Sequence, residues 1–274
     1  MTAPTKDITL FDTDMFLNHA SPDEKIKSAS ATYFLENQPT GICSFSLVEL
    51  KGNYLQDLAL LYKKLSTSDN FKEAVVKVQN TGGRKATLML GQLIECVGGI
   101  NYQINPWAEA KRELLSLVDS QIASSLDEFR EMADFFLDDL HCDRARELPE
   151  DEEGTWKVSI PHCKKNNTNC KIQHFMNEYF EQLKKLVFNL SNSGKSSEFS
   201  TEIRKMLSVA QETLQKHYFP YEGRTCRAVG DLIIGLHGIK TRALISSNYK
   251  EHDILCESLD YKFFKFPVSS IRSK

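Results

Sequence analysis

The feature that most constrains this chain is where its strand-like runs fall: they gather near its two ends and leave a long helical middle. Near the start, Asp7-Ile-Thr-Leu-Phe-Asp12 alternates into a short apolar run and stops at two acids, Asp12 and Asp14. That is the pattern of a buried strand ending at a functional edge. Residues 21–36 follow as a helix opened by Ser21-Pro22-Asp23-Glu24. Gly41-Ile-Cys-Ser-Phe-Ser46 is a second strand-type run that passes into a helix with Leu47, Leu50, Leu55, Leu58, Leu61 and Leu65 near helical spacing. After Gly223 the same rhythm returns, with Asp231–Gly238 as a short apolar helix and Ala243–Ser247 and Lys262–Phe266 as strands.

Between these ends the periodicity is helical. Leu115, Val118, Ile122, Leu126, Phe129, Ala133, Phe136 and Leu140 recur at three and four and predict one helix over 107–140. Phe175, Tyr179, Leu183, Leu186 and Leu190 predict a second over 174–190, and Ile203, Met206, Leu207, Ala210 and Leu214 a third over about 200–217. The acidic stretch Glu147–Trp156 and the polar stretch Ser191–Ser197 separate them and are linker-like. The expected fold class is therefore α/β with a parallel sheet, interrupted by a mostly helical insert. Residues 1–80 and 224–274 form the split core, and residues 81–223 form the insert.

Composition narrows the function classes. At 274 residues and 41% hydrophobic, the chain can bury a full core without disulfide or metal staples. No apolar run approaches the roughly 18 residues of a membrane span. The opening segment has no basic stretch followed by an apolar one, so the expected compartment is the cytoplasm, without a membrane partner. Seven scattered cysteines, an odd number, fit reduced thiols. Charge is asymmetric: residues 1–154 hold 15 Lys/Arg against 26 Asp/Glu, and residues 155–274 hold 19 against 11. The C-terminal half is thus the side expected to face a polyanion, although docking between the two halves accounts for the asymmetry equally well.

The chemistry lies at element ends. Asp12 follows the first strand, Glu49 opens the second helix, Asp231 opens the Asp231–Gly238 helix, and Asn248 and Glu251 follow the strand at Ala243. In an open parallel sheet, groups at strand carboxyl ends and at the helix starts that follow them converge on one edge. Carboxylates gathered there repel unless a cation sits among them, and hard oxygen donors suit Mg²⁺ or Mn²⁺. The matching chemistry is metal-assisted phosphodiester hydrolysis.

In order, Phe11-Asp-Thr-Asp14, Ser44-Phe-Ser-Leu-Val-Glu-Leu-Lys-Gly52 and Gly230–His252 resemble the PIN-domain nuclease pattern. The resemblance implies a three-layer fold around a central parallel sheet. It also implies a metal site built from Asp12, Glu49, Asp231 and Asn248, with Glu251 as an accessory acid, and cleavage of RNA ahead of DNA. Asn248 stands where an aspartate is common, which lowers the negative charge and leaves open a catalytically weak module that binds nucleic acid or a protein partner. The insert is a candidate surface for a partner or for a second copy of the chain.

Other readings stand beside this one. Ser46 and Glu49 also fit a capping box, and Asp231 fits a favourable charge at a helix start. Asp12-Thr13-Asp14 is similar to the acidic signature of haloacid-dehalogenase-like phosphatases, but Phe16 stands where that family has Thr or Val, and no matching later motif appears at Asp231. Cys142, Cys163, Cys170 and His174 have zinc-compatible residue types without the tight pairs that mark a structural zinc site. His141 and His162 stand nearby. Thr81-Gly-Gly-Arg-Lys85 reads as a flexible entry to the insert and not as a phosphate loop. Arg224 and Arg227, just upstream of Asp231, lead the candidates for a nucleic-acid backbone, followed by Lys164, Lys165, Lys184, Lys185, Lys240 and Arg242.

Overall fold

The structure is a computed structural model that describes residues 5–21, 23–96, 107–137, 140, 172–194, 199–216, 226 and 228–272. The described residues form two compact units: those within 1–49, 132–146 and 161–274 make the first, and those within 50–131 make the second.

The first unit is α/β. Its strands are β1 (Thr9–Phe11), β2 (Thr40–Cys43), β3 (Phe135–Leu137), β4 (Ala243–Ser246) and β5 (Phe263–Lys265). They form one sheet in the order β3-β2-β1-β4-β5, with every pairing parallel. Every residue of β1, β2 and β4 is buried, as expected for central strands covered on both faces. The edge strands are partly open, and Phe136 and Phe264 show at the surface. From β1 the chain steps outward through β2 to β3, then returns to the other side of β1 for β4 and β5. The order therefore reverses between β1 and β4, and in such sheets the crevice outside the strand carboxyl ends at that point is where ligands bind.

The helices of this unit are α1 (Thr13–His19), α2 (Glu24–Glu36) and α3 (Ser44–Glu49), and later α7 (Ile172–Glu178), α8 (Phe180–Asn192), α9 (Thr201–Lys216), α10 (Gly230–Gly238), α11 (Tyr249–Leu259) and α12 (Val268–Arg272). Phe34 of α2 stacks on Phe11 at 4.3 Å between ring centres and meets Phe16 at 5.4 Å, which fixes α1 and α2 against the sheet. The predicted faces of α7 and α8 are the buried ones: Phe175, Tyr179, Leu183, Leu186 and Leu190 are each at most 2% exposed. Asn189 of α8 donates to the Ser258 carbonyl at 2.8 Å and ties α8 to α11. Gly238 lets α10 lie close to Tyr261, whose Cε2 would be 2.7 Å from an added Cβ.

The second unit is helical. A π-helical turn (Leu50–Leu55) leads into α4 (Gln56–Ser66), α5 (Phe71–Cys96) and α6 (Trp107–Glu131). Trp107 Nε1 and Lys111 Nζ both donate to the Ser68 carbonyl, at 3.1 and 3.0 Å, and anchor α6 to the turn between α4 and α5.

Two sequence expectations are corrected. The helix predicted over 107–140 stops at Glu131, and Phe135–Leu137 becomes β3 in the first unit. Asp134 is the reason: its carboxylate accepts from the Thr40 backbone N–H at 2.7 Å and from the Thr40 hydroxyl at 3.1 Å, which delivers the next three residues to the edge of β2. Thr81–Lys85 is neither a flexible entry nor a phosphate loop, because α5 runs through it. Ala74, Val78, Ala86, Leu90 and Leu93 keep one face of α5 buried on both sides of the glycine pair. That burial offsets the roughly 1 kcal/mol that each helical glycine costs.

Candidate metal centre at the sheet switch point

Asp12 leaves β1 and caps α1. Its backbone N–H still pairs with the Ile245 carbonyl of β4, at 3.1 Å. Its Oδ1 accepts from the Thr13 N–H at 2.7 Å, and its Oδ2 accepts from Ser246 Oγ at 2.8 Å. His252, on the second turn of α11, places Nε2 2.9 Å from Asp12 Oδ2 and 3.5 Å from Asp231 Oδ1. Among the described His, Cys, Asp and Glu residues, ligand atoms of Asp12, Asp231 and His252 all lie within 4.8 Å of one another. Asp231 is the second residue of α10 and is half-buried, whereas Asp12 and His252 are buried.

Glu49 joins through two contacts. Thr13 Oγ1 donates to its Oε2 at 2.8 Å. Its Oε1 lies against Gly230, where an added Cβ would collide with it and would sit 2.7 Å from Phe45 Cε1. Glu49 is the last residue of α3, not the opening residue of a helix, and Ser46 Oγ contacts Cys43 Sγ at 3.4 Å. The capping-box alternative for Glu49 is therefore replaced by a carboxylate held from across the unit. Asp14 also turns inward. Its Oδ2 accepts from Ser247 Oγ and lies 3.1 Å from Ser246 Oγ, while its Oδ1 is buried without a hydrogen-bond partner.

Asn248 is the N-cap of α11: its carbonyl accepts from the His252 N–H at 3.4 Å, its own N–H donates to Ser246 Oγ at 2.8 Å, and its side chain makes no cap bond. Glu251 is buried one residue before His252. It lines, with Asp231, a cleft of ≈ 510 Å³. The structure thus unites Asp12 and Asp231 directly, sets Glu49 beside them, and places Asn248 and Glu251 on the neighbouring helix.

Electrostatics follow from burial and crowding. Burial opposes ionisation of Asp12, but the adjacent His252 and the hydrogen bonds from His252, Ser246 and Thr13 outweigh it and hold the carboxyl below its usual range. Burial, then Asp12 and Asp231, push Glu49 well above its usual range. Burial and Asp12 raise Asp14 to about 7. Burial, with Asp12, Glu251 and Glu202 outweighing His252, raises Asp231 to about 6. Burial would lower His252, yet Asp12, Asp231 and Asp14 together raise it to about 9. Negative charge is in excess here, as in a site that accepts a cation.

The remaining sequence candidates separate. Cys142, Cys163, Cys170, His141, His162, Arg224, Arg227, Lys164 and Lys165 lie outside the described residues. His174 is exposed on α7, with Nε2 3.6 Å from Glu178. Lys184 pairs with Glu181 at 2.8 Å and caps the Phe180 ring; Lys185 is exposed on the same helix. Lys240 lies over the Tyr179 ring. Arg242, just before β4, reaches the Thr9 hydroxyl at the start of β1 and the Asn37 carbonyl ahead of β2, at the amino ends of the strands and so on the sheet edge opposite the acids. It is a structural residue.

Sequence reasoning missed His252, Ser246 and Ser247. The available signal was spacing: His252 lies four residues after Asn248, one helical turn on. No family model, curated protein or solved structure matches the chain.

Proposed function

We propose that the chain is a PIN-like, metal-dependent nuclease that hydrolyses phosphodiester bonds, with RNA ahead of DNA as substrate. The observation that carries this reading is the meeting of Asp12, Glu49 and Asp231, from three distant segments, at the carboxyl edge of a parallel sheet where its strand order reverses. The reversal at β1 and β4 and the return of acids at Asp231 on α10 and Glu251 on α11 support the family resemblance.

The residues fit a divalent cation. Oxygen donors dominate: the carboxylates of Asp12, Asp14, Glu49 and Asp231 crowd around the single imidazole of His252, and Asp14 Oδ1 is buried with no hydrogen-bond donor. Asp12 and Asp231 would hold Mg²⁺ or Mn²⁺, with Glu49 beside them and Asn248 and Glu251 on the flank. When bound, the cation supplies an activated water and balances charge developing on the phosphate. His252 is assigned a different task. Its Nδ1 is buried without a hydrogen-bond partner, whereas a ligating histidine ordinarily donates that N–H to an acceptor. Its Nε2 holds a proton between Asp12 and Asp231 and keeps the two carboxylates together in the metal-free protein. Ser246 fixes the rotation of the Asp12 carboxylate, and Thr13 does the same for Glu49.

The test is cleavage of single-stranded RNA and DNA with Mn²⁺ by the full chain and by its Asp12→Asn and Asp231→Asn variants. Loss of at least about a hundredfold in each variant is expected. Wild-type protein that cuts neither polymer, or variants as active as wild type, would sink the proposal. The position of His252 favours one second reading, a metal-free module in which the imidazolium serves as the permanent counter-charge. Calorimetry separates the two, since that module takes up no Mn²⁺.

A further inference from the structure

Lys265 ends β5 at the carboxyl edge of the sheet, the edge that carries the acids. It pairs in register with Ser246 of β4, whose Oγ donates to Asp12 Oδ2 at 2.8 Å. Asp12 follows Phe11, which pairs with Ile245, so Asp12, Ser246 and Lys265 stand in one row across three neighbouring strands. Two strand spacings of about 4.8 Å put the ends of that row about 10 Å apart. Lys265 is exposed, and its Nζ lies 3.4 Å from the centre of the Tyr249 ring, on the first residue of α11 and 41% exposed. Among the described residues Lys265 forms no hydrogen bond and no ion pair through its ammonium, neither with the acids of this edge nor with Asp253 one turn along α11. A neutral ring orients an ammonium without discharging it, so the N–H donors turned away from the ring remain available to an anion. In residues 249–254 and 262–265 the exposed charges are Lys250, Lys262 and Lys265 against Asp253, a positive excess.

We propose that Lys265, held by the Tyr249 ring, binds a backbone phosphate of the substrate strand close to the scissile one. The inference rests on the nuclease reading and deepens it by giving the strand an anchor outside the acid cluster. The row of about 10 Å from Asp12 to Lys265 matches the rise of about three stacked nucleotides at ~3.4 Å each, so one strand reaches both. Lys265 offers a point charge and no base-reading group, so the contact is independent of sequence. Tyr249 is a positioning residue: it keeps the ammonium at the edge and lowers the ordering cost of binding. The carboxylates of the cluster repel a polyanion, and a cation further along the same edge offsets that repulsion. A cation–π contact that only staples α11 to β5 predicts something else, a loss of stability on its removal with no change in how binding responds to salt.

Fluorescence anisotropy of the full chain with a labelled oligouridylate, in chelator and across a KCl series, reads this contact without turnover. Lys265→Met should weaken binding about tenfold and reduce the slope of log affinity against log salt by about 0.7, the share of one phosphate on a single strand. Lys265→Arg should restore the slope. Tyr249→Phe should bind as wild type does, and Tyr249→Leu about threefold more weakly with the wild-type slope, because the charge remains and only its placement is lost. Thermal unfolding of each variant separates a folding defect from a lost contact. A Lys265→Met protein that keeps the wild-type slope, whether or not its Tm falls, overturns the phosphate contact, as does wild-type protein that does not bind the oligonucleotide. Cleavage with Mn²⁺ is scored separately: a strand that binds through Lys265 and is never cut removes the nuclease reading and leaves the contact standing, and a strand that is cut with equal KM by wild type and Lys265→Met does the reverse.

Discussion

Gly230 is where the acid cluster is most exposed to a single added atom. Alanine here places a methyl 2.7 Å from Phe45 Cε1 and closer still to Glu49 Oε1, against an optimal separation of about 3.5 Å. Phe45 is 2% exposed and has no free volume to move into, so the strain falls on the Glu49 carboxylate. That group must retreat by about an ångström, several times the roughly 0.2 Å within which metal–ligand distances are held. Two effects compete in stability. Replacing a helical glycine stabilises by at most about 1 kcal/mol, while overpacking costs about 1–3 kcal/mol. A net loss of about 1 kcal/mol is expected, which for a unit of this size lowers Tm by about 3 °C. Gly91 is the control. It also lies in a helix, but an added Cβ there meets nothing within 4 Å, so Gly91→Ala should stabilise by about 0.5–1 kcal/mol. Thermal unfolding with chelator and Mn²⁺ calorimetry measure both variants. If Gly230→Ala is as stable as wild type and binds Mn²⁺ equally well while Gly91→Ala behaves as expected, the idea that the missing Cβ makes room for Glu49 is wrong.

Removing His252 leaves Asp12 and Asp231 facing each other without a counter-charge, and breaking a buried pair of this kind costs about 3–5 kcal/mol. His252→Ala should therefore unfold much more readily in chelator, and Mn²⁺ should recover much of the loss; a variant as stable as wild type without metal would refute the counter-charge role. The pH dependence has a worked sign. Asp231 near 6 and Asp14 near 7 lie above their unfolded value of 3.8, and His252 near 9 lies above 6.5, so the native state holds more protons than the unfolded state. Their contributions are complete below the unfolded values and are lost as pH rises through the folded ones, with the depressed Asp12 opposing only at the acid end. Metal-free Tm should fall from about pH 5 to pH 9, and the gap between Mn²⁺-loaded and metal-free Tm should widen over that range. A flat or rising metal-free profile would show that these groups are not proton-loaded in the folded protein.

The positions of Asp12 and Asp231 were legible because both stand where one local pattern gives way to another, an apolar strand ending in one case and an apolar helix beginning in the other. β3 was not legible. Phe136 and Leu140 continue the three-and-four spacing of α6, and only the pairing of Gly41–Cys43 with Phe135–Leu137, a contact across nearly a hundred residues, makes this stretch a strand. His252 was hidden for a different reason. Its neighbours on the buried side of α11 are Glu251, Leu255, Cys256 and Leu259, so its position in the sequence is that of a core residue. The same stripe fixes the rotation of α11. With Leu255 and Leu259 turned into the core, a position three residues before Leu255 must also turn inward, and it meets the carboxyl end of β1. Glu251, about 100° around the helix, is left beside the cleft with Asp231. Packing of two leucines thus decides which of two adjacent polar residues reaches Asp12, a choice that residue type and local spacing do not contain.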